Sequence, residues 1–424
     1  MNFRQQITEV KSGFHPTFWV ANGMELFERL AYYGQTVVLS LFLRDHLHFS
    51  EIDAGKLSSI FGGLIYFLPI FAGALADKFG FRTAFSIAFF VLSIGYFLIG
   101  STGMAAFQGL YAGLPLFWVL AVIMAFTAMG GAFIKPSVLG TIAVTSKPET
   151  KSFGYAIYYW LVNIGAAIGP LIAYFVRDHI GIQYVYVVSS VSCLLMLIVN
   201  LIFYKEVKSA ASGIGESLLD KLANLLLVLA NVKFMIFLLI FSLFWIMFWQ
   251  TFIIVPYYVS DFISKDAPVE IIQSMGAWGI IVLQLVVNRL TKHISTRNAI
   301  VLGFATSSLC WLVIAIHPTI WTIMAGIVVF SIGEMTQAPR YYEYISDIAP
   351  QGQQGLFQGY AFLPIAIAWF VGGPLGGWLY TVFAKQSNNP IMIWYVLFGI
   401  GMLATVLMML YNLIVGPDQT KNQS

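Results

Sequence analysis

Charge is what this sequence has least of. Only 10% of its 424 residues are Asp, Glu, Lys or Arg, against 59% hydrophobic, where a soluble domain carries about 25% charged residues. With a mean hydropathy of +0.82, most of its surface must face lipid or other apolar helices. That excludes an ordinary soluble domain. Cysteine is nearly absent: Cys193 and Cys310 both fall inside apolar runs, so neither a disulfide framework nor a metal site follows. The six histidines lie in the N-terminal segment or near loops, and no metal site is expected from them. A net charge of +3 gives no support to a nucleic-acid partner. No nucleotide-binding loop is present, and no cofactor is expected. The first residues are polar up to Pro16, and the apolar run after them is too long for the core of a signal peptide.

What the sequence does hold is a series of long apolar runs. A helix needs about 20 apolar residues to cross the hydrocarbon core. Runs near 17–43, 57–76, 83–101, 115–144, 153–176, 183–204, 234–260, 270–290, 298–316, 319–346, 355–383 and 391–415 predict twelve spans. They must be helices, because an open sheet would leave backbone polar groups unpaired in lipid. The fold class is therefore an all-α membrane protein. Of the 22 Lys and Arg residues, fourteen fall in loops on the side of the N-terminus, and Arg44, Lys56, Arg177, Lys265 and Lys385 fall on the other side. Arg29, Lys135 and Arg340 lie within spans. Basic loops stay inside, so both termini are expected in the cytoplasm, with the chain in the cell inner membrane.

The halves echo one another. Gly154-Tyr155-Ala156 precedes Gly169-Pro170-Leu171 in span five, and Gly359-Tyr360-Ala361 precedes Gly373-Pro374-Leu375 in span eleven. Matching fifth and eleventh helices are what two parallel six-helix repeats predict. The expected organisation is one bundle over 1–204, a linker over 205–233 and a second bundle over 234–424. Within the linker, Leu218, Leu222, Leu225 and Leu226 beside Glu216, Asp220 and Lys221 predict an amphipathic helix on the membrane surface, or else an early start to span seven.

Ionisable residues inside spans are costly and point to function. Span one contains Glu25, Glu28 and Arg29 at i, i+3 and i+4, which places them on one helix face. Span four contains Lys135 next to Pro136. At 1.5 Å per residue, Glu28 and Lys135 both lie roughly 15 Å from the inner ends of their helices, so the two are expected to meet. A buried carboxylate beside a lysine and an arginine takes or loses a proton as its partners move; the alternative is a purely structural ion network. Span ten carries Glu334 near mid-depth, then Pro339, Arg340, Glu343 and Asp347. Pro339 is expected to bend that helix. Arg340 is a candidate to anchor an anionic group or to close the inner gate with Glu343, or it forms a structural pair near the interface. Asp347 reads as a solvated helix end. The ionisable groups cluster at mid-depth rather than at a membrane face, which argues against an enzyme.

Two sets of motifs carry family resemblances. Gly73, Leu75, Asp77, Gly80 and Arg82 resemble the G-x-L-x-D-x-x-G-x-R loop of the major facilitator superfamily. The resemblance implies two bundles of six transmembrane helices, with Asp77 and Arg82 in gating. Glu25, Glu28, Arg29, Tyr32, Tyr33 and Gly34 resemble the E-x-x-E-R-F-x-Y-Y-G signature of the proton-coupled oligopeptide transporters, with Leu30 in place of Phe. Phe133, Lys135 and Pro136 are similar to that family's span-four motif. Phe153, Tyr158, Asn163, Gly165 and Gly169-Pro170 are similar to its span-five motif. Tyr66 and Glu334 match pocket residues. The resemblance implies a monomeric, proton-driven symporter of a small peptide-like or zwitterionic solute. In it Glu25, Glu28, Arg29 and Lys135 handle the proton. Tyr32, Tyr66, Asn163 and Glu334 meet the solute, with Arg340 as a possible substitute anchor. An antiporter exporting a drug or metabolite is the other reading. The departures bear on specificity. Thr36 stands where the family places a second arginine, and Trp249 where it places a span-seven glutamate. Losing both charges together leaves no orphan and implies an outer gate closed by other contacts. A span-eight asparagine is replaced near Gln273, and residues 205–233 are too few for the two additional helices of many bacterial members.

Overall fold

The computed structural model describes residues 13–207, 228–350 and 353–415, with 354–356 as backbone only. The amphipathic helix expected around Leu218–Leu226 lies outside the described residues, as do both chain ends.

The described residues are helical throughout. Ten helices or nearly straight helix pairs are long and apolar enough to cross a membrane, and one bent pair makes an eleventh. Helix α1 (Pro16–Leu41), 26 residues long, completes the expected twelve despite its three charges. Span two is α2 (Glu51–Phe67) and α3 (Pro69–Phe79), bent by 47°. Pro69 explains the bend, since its ring removes a backbone donor and crowds the preceding turn. Next come α4 (Phe81–Ser101), α5 (Leu116–Gly131) with α6 (Ile134–Thr145), α7 (Lys151–His179) and α8 (Gln183–Phe203). The second half runs α9 (Val232–Phe262), α10 (Val269–Thr291), α11 (Thr296–Ile316), α12 (Ile320–Ile348), α13 (Leu363–Leu379) and α14 (Met392–Val415). Helix α12 continues through Pro339 without a break.

Span two begins six residues before the sequence suggests. Glu51, Asp53 and Lys56 read as loop, but they form a helical first turn capped by Ser50, whose Oγ accepts from the Asp53 amide at 3.1 Å. Two acidic side chains there also suit the positive end of the helix dipole.

Packing repeats with a shift of six spans. Helix α7 packs on α1 and α10, while α13 packs on α9 and α2. The Gly169 carbonyl lies against Gly34, and the Gly373 carbonyl against Gly55. Both glycine-proline repeats thus sit where two backbones come close, Gly169 against its own half and Gly373 against the other. Pairs α7–α10 and α13–α2 join the halves.

Candidate functional site

Helix α1 supplies the densest group of charges. Glu25 and Glu28 are fully buried and Arg29 is 3% exposed. The Arg29 guanidinium reaches Glu25 Oε1 at 3.3 Å, contacts the Glu28 carboxylate, and lies 4.9 Å from the Tyr32 ring. Three ionisable side chains are tolerated in this packing because the one guanidinium lies against both carboxyl groups. The i, i+3, i+4 spacing is what brings them together.

Lys135 does not complete this group by direct pairing. Its ammonium lies 4.8 Å from the Tyr66 ring and 4.7 Å from the Phe362 ring, a cation–π arrangement between the halves. Glu28 is paired with Arg29 instead. Equal depth brings Glu28 and Lys135 to one level, but depth alone does not set which way a lysine stem turns. Tyr66 also approaches Tyr32, with 3.5 Å between hydroxyls, and Trp249, with ring centroids 6.0 Å apart.

Beside this core lies a cavity of about 90 Å³ between α1, α7, α9, α10 and α12. Glu334 and Asn163 line it, as expected. Tyr33 lines it where Tyr32 was expected, one residue and about 100° round the helix. Gln273, Thr251, Ser331, Phe248, Phe252 and Phe330 line it too. Asn163 donates to the Tyr159 carbonyl at 2.8 Å. The Gln273 amide is buried, and neither of its polar atoms has a hydrogen-bond partner among the described residues. Sequence reasoning noted position 273 only as a replacement. Tyr32, Tyr66 and Arg340 do not line this cavity. Arg340 instead donates to Glu343 at 2.9 Å on its own helix, with Glu343 45% exposed. Arg340 thus lies outside this cavity and is paired on its own helix.

The positions of the two departures are filled without charge. The Thr36 hydroxyl donates to the Tyr32 carbonyl at 2.6 Å and accepts from Gln35 at 2.8 Å. Trp249 packs against Trp369, with ring centroids 4.2 Å apart and the planes tilted by 32°.

The cross-half ion pairs occur where the sequence reading saw only loop charges. Arg44 grips Asp261 with two bonds, of 2.9 and 3.0 Å, and stacks on Tyr257 at 4.4 Å. Tyr380 donates to the same Asp261 at 2.6 Å. Arg177 meets Glu270, and Lys385 meets Glu51, each at 2.5 Å. All three pairs tie α1, α2 and α7 of one half to α9, α10 and the end of span eleven of the other. They share one face of the molecule, at the ends away from Pro16. Arg44 and Lys385 sit on single π-helical turns, Phe42–His46 and Tyr380–Gln386.

At the opposite face, Gly80 joins α3 to α4 with φ of 87°, a conformation that favours glycine. The Glu206 carboxylate accepts from the Phe81 and Arg82 amides at 3.0 and 2.7 Å, at the start of α4. Arg82 donates to the Leu201 carbonyl at 2.6 Å, so these contacts hold the turn to the end of α8 in its own half. Asp77 is exposed in the last turn of α3. The Arg82–Leu201 and Arg340–Glu343 hydrogen bonds each stay within one half, unlike the pairs at the other face.

This arrangement is a membrane-spanning bundle with a small polar-and-aromatic cavity beside a buried ion cluster. The Major Facilitator Superfamily profile matches residues 24–264 and 261–424, and the chain belongs to that superfamily. The dipeptide and tripeptide permease A of Serratia proteamaculans is 29% identical over 199 residues, covering 46% of this chain and 37% of the permease. The matched stretch is thus little more than a third of that relative's length. The multidrug resistance protein MdtH of Proteus mirabilis is 22% identical over 339 residues, covering 79% of this chain and 80% of that one. Among solved structures, the nucleoside transporter NupG superposes with a TM-score of 0.76 at 12% identity, covering 93% of this chain and 99% of that one. A POT family transporter in complex with a thioalcohol-conjugated peptide superposes with 0.74 at 17% identity, covering 95% and 96%. At such identities the superpositions establish the fold.

Proposed function

We propose that this protein is a proton-coupled carrier that moves a small peptide-like solute bearing an amino group by alternating access. The observation that carries the reading is on α1. Its Glu25/Glu28/Arg29 cluster and the cavity residue Tyr33 are within about two turns of one helix, so protonation at the cluster is mechanically tied to the cavity wall. Glu334 faces the solute amine across that cavity, with Asn163 and Tyr33 beside it. Lys135, held between Tyr66 of one half and Phe362 of the other, senses both the carboxylates and the relative position of the halves. Tyr32 and Tyr66 shape the wall behind the cavity. Asp77, Arg82 and the Arg340–Glu343 pair belong to the cytoplasmic face, and the Arg44, Arg177 and Lys385 pairs to the outer gate. This assignment takes both termini as cytoplasmic, a reading the basic-loop asymmetry supports, and the chain as a monomer in the inner membrane.

Proteoliposomes with an inward proton gradient test the reading. Dialanine or dialanine amide should accumulate and acidify the lumen. If neither does either, the peptide-like reading is lost. The long match to MdtH and the aromatic walls of the cavity favour a second reading, proton-driven export of an amphiphilic drug or metabolite. In that case the solute and proton move in opposite directions in the same vesicles.

A further inference from the structure

The cavity is electrically one-sided. Among its lining residues Glu334 is the one acid, and none is basic. The basic side chains nearest the centre are committed elsewhere. Arg29 is held by Glu25 and Glu28, and Lys135 lies between the Tyr66 and Phe362 rings, neither of which lines the cavity. Arg177 is held by Glu270, and Arg340 by Glu343. At position 36 the hydroxyl turns back to its own helix. Nothing in the wall is free to neutralise a carboxylate.

The wall does offer partners of two other kinds. Phe248, Phe252, Phe330 and Tyr33 present aromatic rings beside Glu334, and a carboxylate with aromatic faces suits an ammonium. The Gln273 amide has both a donor and an acceptor unsatisfied. A buried amide in that state is paired most cheaply by another neutral amide, which returns one donor and one acceptor.

We propose that the solute carried at this site is a monocation, an amino group joined to an uncharged amide or ester end, rather than a zwitterion with a free carboxylate. The inference rests on the carrier reading above and narrows it. A free carboxylate in this cavity loses water, finds no cation, and shares the space with Glu334, so both desolvation and repulsion disfavour it. The neutral amide loses less on leaving water and gains the bonds of Gln273.

The test is binding of three matched probes to the full chain in lipid nanodiscs at neutral pH: dialanine, dialanine amide and N-acetyl-dialanine amide. Dialanine amide is expected to bind about tenfold more tightly than dialanine. The acetylated probe, which lacks the cation, is expected not to bind. The Gln273→Arg variant, which places a cation in the wall, is expected to shift preference towards dialanine. Equal or tighter binding of dialanine to the unmodified chain overturns the inference and leaves the carrier reading standing. If no probe binds and none drives proton flux, the peptide-like reading falls and this one with it.

Discussion

Arg29 and Lys135 are both basic residues at the centre of the membrane, yet their surroundings predict opposite consequences of removal. Arg29 is the cation paired with two carboxyl groups that are fully buried. Arg29→Ala leaves them unpaired and should cost about 3–5 kcal/mol of stability, seen as poor yield and a large drop in melting temperature. Among the described residues Lys135 is bonded to no acid, and it sits against aromatic rings. Lys135→Ala should melt near the parent while losing gradient-driven uptake and keeping solute counterflow. Equal loss of stability in both variants would show Lys135 to be structural. At this scale the sequence revealed which residues matter better than it revealed whom they touch. The Glu25/Glu28/Arg29 contact was legible because all three belong to one helix, whose spacing fixes their relation. Contacts between helices depend on rotation about each axis, and the expectations of a Glu28–Lys135 meeting and of Tyr32 in the cavity differ from the structure for that reason.

Among elements, the α2–α13 seam is the tightest cross-half junction. Gly55 and Ser59 of α2 face Gly373 and Trp369 of span eleven, and the Ser59 hydroxyl donates to the Trp369 carbonyl at 2.6 Å. A Cβ at Gly55 would meet the Gly373 backbone, and one at Gly377 the Glu51 backbone. Small residues four apart let helices approach closely in lipid, where no hydrophobic force draws them together. Gly373→Leu should hold the seam apart while leaving each half intact. The variant should insert normally yet fail to transport, and spin labels at Lys56 and Ser387 should report a distance longer than in the parent. An unchanged distance would mean the seam yields elsewhere. The glycines were visible in the sequence, as the repeat in spans five and eleven. That Gly373 meets the opposite half while Gly169 meets its own was not, because identical local motifs carry no information about their partners.

For the molecule as a whole, twelve spans and two repeats were readable from hydropathy, loop charge and the paired glycine-proline motifs. All are averages over many residues and tolerate local error. The three ion pairs that clamp one face were not readable, since the sequence separations between their partners, such as Arg44 to Asp261, exceed anything local patterning can link. The clamp is distributed over three places around the rim, so no single pair should hold it. Arg44→Ala alone should open the face little, whereas Arg44→Ala with Arg177→Ala should expose it measurably to a membrane-impermeant thiol reagent at a cysteine introduced for Tyr33. Full exposure from the single variant would argue instead for one dominant latch.

The π turns at the ends of α1 and span eleven bear on how such a clamp arises. A π turn holds one residue more than the α turn it replaces, so everything beyond it is rotated by about 100° relative to an uninterrupted helix. Arg44 and Lys385 sit on such turns, so their directions differ from those a regular helix would give them. Relatives with regular helices at these places should align with a one-residue gap between 41 and 47 or between 379 and 387. A latch of this kind can be gained or lost by one codon, without any change in the charged residue itself.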